Sequence, residues 1–151
     1  MNAHSLKRHA VEVGFREALL RWKHPDLGLV SLDSFISIAE DTDLIISIGK
    51  YVLTEACKQA AAWQFNGLHN IPIAINLSAR QFRDRELSNH IRTELDKYGL
   101  DPKLLGIELT ETMLMDDIGQ SIFVLNQLKQ MCLKISINDF DTGYSSLNYL
   151  K

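Results

Sequence analysis

The 151-residue sequence holds only two cysteines, Cys57 and Cys132, far apart and each inside an apolar, helix-like pattern. Neither belongs to a Cys-x-x-Cys pair or a His-rich cluster, which argues against a zinc site and against a disulfide framework. Two buried free thiols in a reducing compartment are expected instead. No apolar run approaches the roughly 18 residues that a membrane-spanning helix needs. The first ten residues are polar and basic with no apolar centre, so they do not read as a secretory signal. A cytoplasmic location is the default that follows. No block of Lys and Arg suggests nucleic acid, and no acidic tail suggests disorder; the net charge is -3 with the charges dispersed. His24, His69 and His90 are isolated from one another and from cysteine, and are expected in loops or at the surface.

Hydrophobic residues make up 46% of the chain and charged residues 23%, enough apolar material for the core of one domain. Residues 1–10 are poorly patterned; residues 11–151 form the expected folded unit. Val11 to Trp22 reads as a strand with a helix-tolerant tail, and Lys23 to Leu32 as a loop punctuated by Pro25 and Gly28. Ser34 to Glu40 reads as a short helix. Ile45 to Phe65 is the strongest helical pattern, with Val52, Ala56, Ala60 and Trp63 on one face and Gly67 as the stop. Ile71 to Leu77 is an apolar, β-branched run, expected as a buried strand. Ser78 to Tyr98 reads as a second helix region, with Leu87, Ile91 and Leu95 aligned and Gly99 at its end. Leu105 to Leu109 reads as a strand. Asp116 or Asp117 can cap a helix whose stripe is Ile118, Ile122, Leu125 and Leu128. Leu133 to Ile137 is a further strand, Asp139 to Tyr144 a turn, and Ser145 to Lys151 the start of a helix. Alternation of strand and helix predicts an α/β protein with a parallel sheet. Four βα units fit either a small doubly wound sheet or half of an eight-stranded barrel.

Oxygen-bearing side chains lie near the ends of all four strands: Glu17, then Asn76, then Glu108 with Glu111, then Asn138 with Asp139. The C-terminal ends of parallel strands share one face, where α/β proteins build their sites. Carboxylates and amides without His or Cys suit a hard cation such as Mg²⁺ or Mn²⁺. Alternatively, each of these residues caps the next helix or faces water. Arg21, four residues after Glu17, has the forked donors that grip phosphate, or it makes a surface ion pair. Arg80 and Gln81 open the helix after the second buried strand, where they could meet an anion or serve capping alone.

These segments also carry a resemblance. Glu17-Ala18-Leu19-Leu20-Arg21-Trp22, followed by His24-Pro25, resembles the motif that names the EAL domain family. Phe35-Ile36 with Ala39-Glu40, Asn76-Leu77-Ser78-Ala79-Arg80-Gln81-Phe82, and Glu108-Leu109-Thr110-Glu111 resemble its following motifs. Asn138-Asp139-Phe140-Asp141-Thr142-Gly143-Tyr144-Ser145-Ser146-Leu147 is similar to the family's DDFGTGYSSL segment. The resemblance covers about residues 14–151, in the family's order. It implies a modified (β/α) barrel that hydrolyses cyclic di-GMP to pGpG with two Mg²⁺ or Mn²⁺ ions. By that resemblance Glu17, Asn76 and Glu108 are metal ligands, and Asp139 serves the second metal, with Glu17 and Asp139 catalytic. Arg21 holds a substrate phosphate, and Glu111 orders the loop after the third strand.

The departures shape the expected function. Asn138 stands where the family has the first of paired aspartates, so a neutral amide replaces an anionic bridge. Asp141 replaces a glycine, and Leu32 and Ser37 replace common prolines. The family's first strand, its later lysine and glutamate, and a glutamine near the guanine have no counterpart in these 151 residues. The sequence thus predicts a partial TIM-like barrel, about four βα units, related to two-metal phosphodiester cleavage and weak or inactive as this chain alone. A non-catalytic module that binds cyclic di-GMP or a protein partner is the alternative. Exposed sheet edges further predict pairing with another copy of the chain.

Overall fold

The structure, a computed structural model, describes residues 15–138. The expectations for residues 1–14, Asp139, the turn through Tyr144 and the helix from Ser145 lie outside those residues. The central sheet is parallel and has four strands: β1 (Arg16–Ala18), β4 (Ile73–Asn76), β5 (Leu105–Thr110) and β6 (Lys134–Asn138), ordered β1-β4-β5-β6. Between β1 and β4 lie an antiparallel hairpin, β2 (Trp22–His24) with β3 (Gly28–Val30), and helices α1 (Leu32–Asp41) and α2 (Leu44–Phe65). The connection from β4 to β5 holds α3 (Ala79–Phe82) and α4 (Leu87–Tyr98). The connection from β5 to β6 holds α5 (Glu111–Met115) and α6 (Ile118–Gln130).

Period-two alternation divides each strand between two faces. Ile73, Ile75, Leu105, Ile107 and Leu109 pack with Ala56, Cys57 and Ala60 of α2, Ile91 and Leu95 of α4, and Leu125 and Leu128 of α6 in one buried core. Helices therefore cover one face of the sheet among the described residues, as in a TIM-like barrel rather than a doubly wound sheet. On the opposite face Phe15 lies across Gly106, where a Cβ would come within 2.7 Å of its ring, and Lys134 Nζ sits 5.3 Å from the ring centre. Gly106 is thus small because an aromatic ring crosses it.

The structure redraws several expected elements. The strand expected over Val11 to Trp22 is, in its described part, three residues long, and the chain leaves the sheet at Leu19. The expected loop Lys23 to Leu32 contains a hairpin. His24 Nδ1 accepts from the backbone N–H of Asp26 and of Leu27, at 3.1 and 3.3 Å, and Gly28 takes φ +69°, which together close its turn. The region from Ser78 to Tyr98 is two helices, because the charged run Arg83–Glu86 interrupts the apolar period and Asp84 Oδ1 caps the N–H of Glu86 at 3.0 Å. Asp117, rather than Asp116, caps α6 through the Gln120 N–H at 3.0 Å. The buried stripe of α6 is Ser121, Val124, Leu125 and Leu128, while Ile118 and Ile122 are exposed. Cys57 is buried as expected, but Cys132 is exposed. It follows the last turn of α6 at φ +63°, in the position that points away from the core. His90 also departs from expectation: it lies in α4, half-buried, with Nδ1 4.0 Å from Asp84.

Candidate functional site

Sheet register brings the strand ends together. Glu17 is level with Ala74, Asn76 is level with Glu108, and Thr110 is level with Asn138. Glu17, Asn76, Glu108 and Asn138 all share the face opposite the helices, since each is offset by an odd number from the core-facing residues of its strand or of its paired neighbour. The Asn76 side-chain N–H donates to Glu17 Oε1 at 2.7 Å, and that of Asn138 donates to Glu108 Oε2 at 3.4 Å. Four residues from four strands therefore form two amide–carboxylate pairs on one rim.

They line one side of a cleft of about 490 Å³, within the range of small-molecule sites. Leu19 and Leu20 after β1, Ile36 of α1, and Ile45, Ile48 and Gly49 of α2 supply its apolar wall. Ser78 and Gln81 close it beyond Asn76. Both amides direct hydrogens toward carboxylates. A hard cation fits this donor set: Glu17 and Glu108 bring two negative charges, and Asn76 and Asn138 bring neutral carbonyl oxygens. Among the described residues no three His, Cys, Asp or Glu side chains converge as a metal site, which agrees with a set that is half amide.

The other expected residues have different surroundings. Arg21 is exposed, and its Nη1 donates to the Leu20 carbonyl at 3.0 Å. It lines a second, wider groove between β1 and α2 rather than the cleft above the strand ends. Arg80 is held by Asp43, with Nε and Nη2 at 2.8 and 2.7 Å from one carboxylate oxygen. Gln81 completes a capping box: its side-chain Oε1 accepts from the Ser78 N–H at 2.9 Å, and its backbone N–H donates to Ser78 Oγ at 3.2 Å. Glu111 opens α5 directly after β5. Two pairings that the sequence did not single out help fix the rim. Asp43 adopts φ +57° and carries the carboxylate that Arg80 grips. Asp116 pairs with Arg83, tying the loop after β4 to the loop after β5. A sequence signal for the first pair was absent, because the partners lie 37 residues apart.

An EAL domain family model matches residues 9–151. The chain is 49% identical over 135 residues to the signaling protein YkoW of Bacillus subtilis, covering 89% of this chain and 17% of that protein. It is 47% identical over 135 residues to the bifunctional diguanylate cyclase/cyclic di-GMP phosphodiesterase MucR of Pseudomonas aeruginosa, covering 89% of this chain and 20% of MucR. The chain thus spans about a fifth of the length of these curated relatives. A solved structure of the PaMucR phosphodiesterase in complex with c-di-GMP superposes with a TM-score of 0.82 at 47% identity, covering 89% of this chain and 54% of that one. Among the described residues no helix is long and apolar enough to cross a membrane.

Proposed function

The chain belongs to the EAL domain family, and from that premise we propose that its strand-end cleft binds cyclic di-GMP together with Mg²⁺ or Mn²⁺. The observation that carries this reading is the convergence of Glu17, Asn76, Glu108 and Asn138 on the rim of one cleft. Glu17, Asn76 and Glu108 would hold the cation. Asp139, outside the described residues, would serve a second one. When bound, such cations lower the pKa of water and stabilise charge on a phosphodiester. The carboxylates of Glu17 and Glu108 supply the negative field, and the apolar residues from Leu19 to Ile48 form the facing wall. Arg21 keeps most of its donors for a phosphate, because only one N–H is engaged by Leu20. Arg80 would first have to leave Asp43.

Binding, rather than turnover, is the activity expected of these 151 residues. Asn138 donates a hydrogen to Glu108 where an anionic bridge would have repelled it. That contact favours the sensor alternative over a working hydrolase. Calorimetry with cyclic di-GMP, with and without Mg²⁺, tests the reading. Cation-dependent binding without release of pGpG is expected; binding that ignores EDTA supports a metal-free sensor, and no binding at all refutes the site. Self-association belongs to the same reading. Among the described residues β1 and β6 each pair on one side only, and light scattering should show a dimer or larger species. A monomer at high concentration would contradict it.

A further inference from the structure

We propose that Gly49 and Gln81 form a positioning lock for Asn76; the lock rests on the reading above only for the identity of the ligand that Asn76 meets. Gly49 lies inside α2, where glycine weakens a helix relative to alanine. Its reason is local. A Cβ at position 49 would overlap Gln81 Nε2 and approach Gln81 Cδ to 2.7 Å. The missing side chain is the space through which the Gln81 amide passes. Gln81 is buried there, only 8% exposed.

What Gln81 does with its position is to hold the backbone two residues beyond Asn76. Its Oε1 takes the Ser78 N–H at 2.9 Å, while the neighbouring Leu77 N–H is taken by the Glu108 carbonyl at 3.2 Å. The two residues that follow Asn76 are therefore fixed from opposite sides, one by α2 through Gln81 and one by β5. Asn76 directly precedes these two held residues, and its side chain meets Glu17 at 2.7 Å. Gly49, Gln81, Ser78 and Asn76 border the same cleft. Gln81 thus acts on Asn76 through the backbone of Ser78 and is a positioning residue, with its amide oxygen committed to Ser78 rather than to a ligand. Groups that orient a ligating side chain change ligand affinity as strongly as many ligands do.

The test uses the ¹⁵N-labelled 151-residue chain and follows the Asn76 side-chain amide and the exchange of the Ser78 N–H by NMR. Gln81→Met keeps length and removes the acceptor; Gly49→Ala fills the gap; Leu128→Ala serves as a destabilising control far from the rim. Both lock variants should shift the Asn76 amide toward that of a free side chain and speed Ser78 exchange by about tenfold or more. Mn²⁺ binding should weaken by about tenfold in both. Leu128→Ala should lower Tm and leave the Asn76 resonance in place. Gly49→Ala should lower Tm in the native background, yet raise it by about 2–4 °C when added to Gln81→Ala, where only helix propensity remains. If Gly49→Ala fails to fold, Gln81→Met carries the test alone. An Asn76 resonance unmoved by Gln81→Met, or moved equally by Leu128→Ala, overturns the lock. A native chain that takes up no Mn²⁺ would count against the ligand reading, while the Asn76 and Ser78 signals would still decide the lock.

Discussion

Among the described residues three helices end in the same way, and one of them does so with an unsuitable residue. After α2, Gly67 at φ +79° gives its N–H to Gln64 O, and Leu68 reaches back to Trp63 O at 2.9 Å. After α4, Gly99 at φ +59° pairs with Asp96 O, and Leu100 with Leu95 O at 3.0 Å. After α6, Cys132 at φ +63° pairs with Lys129 O, and Leu133 with Leu128 O at 3.4 Å. All three are Schellman ends, in which a left-handed residue lets two N–H groups satisfy the last carbonyls. A Cβ in that conformation costs roughly 1–2 kcal/mol. Glycine's greater freedom in the unfolded chain takes back about 0.4–1 kcal/mol. Because Cys132 is exposed, no packing is lost with its side chain. Cys132→Gly should therefore stabilise by about 0.5–1 kcal/mol, raising Tm by about 1–4 °C. Urea unfolding of three variants separates the causes. Cys132→Ala removes the thiol and keeps the strain, so it should stay within about 0.5 kcal/mol of the parent. Gly99→Ala, where an added Cβ meets nothing within 4 Å, should lose about 1 kcal/mol from backbone strain alone. The reasoning is refuted if Cys132→Gly is no more stable than Cys132→Ala.

Saturating Mg²⁺ should raise Tm, by the equivalent of about 2.7 kcal/mol at a hundredfold excess over Kd, and Glu17→Gln or Glu108→Gln should abolish that rise in a thermal scan. Asn138→Asp removes the donor that Glu108 now accepts at 3.4 Å and adds a third carboxylate to the rim. It should lower Tm without cation and raise it with Mg²⁺, and an effect of the same sign in both conditions would contradict the assignment. Burial, with the negative charge of Glu94 adding, pushes the Cys57 thiol up to about 12. One thiol, Cys132, should react with Ellman's reagent at pH 8, and the second only after denaturation. The same shift has a pH signature. The folded state keeps the Cys57 proton that the unfolded state releases near 9.0, so this contribution is complete below that pH and is lost as pH rises toward 12. Replacing Cys57 with Ala should flatten the alkaline limb of a stability profile.

Long, strongly periodic elements were legible in the sequence because their burial follows from spacing alone. The α2 face around Ala56 and Ala60, and the α4 stripe Leu87, Ile91 and Leu95, lie where the pattern puts them. The strand-end oxygens were legible for a related reason: parallel strands bring their C-terminal ends to one face whatever the loops between them do. Short-range chemistry was harder to see. The hairpin from Trp22 to Val30 depends on a histidine nitrogen taking two backbone hydrogens, which no hydrophobic period records. The α6 stripe was misplaced because Ser121 is buried and Ile118 is not, so polarity ranked the positions differently from geometry. The roles of Arg80 and Gln81 depended on partners 37 and 32 positions away in sequence, Asp43 and Gly49, and needed three dimensions to appear.

The alternation along the central strands separates inheritance of shape from inheritance of chemistry. Ile73, Ile75, Ile107 and Leu109 hold the sheet to its helices, while Asn76 and Glu108, interleaved with them, hold no part of that core. A change at a rim position touches none of the apolar contacts that hold the framework, and a change at a core position leaves the ligand set intact. The packing of the core is thus blind to the rim. A copy of this framework released from one ligand could exchange its donors one strand at a time, each in a separate βα unit, and remain a well-folded protein throughout. Asn138 brings to that rim a carbonyl oxygen without charge.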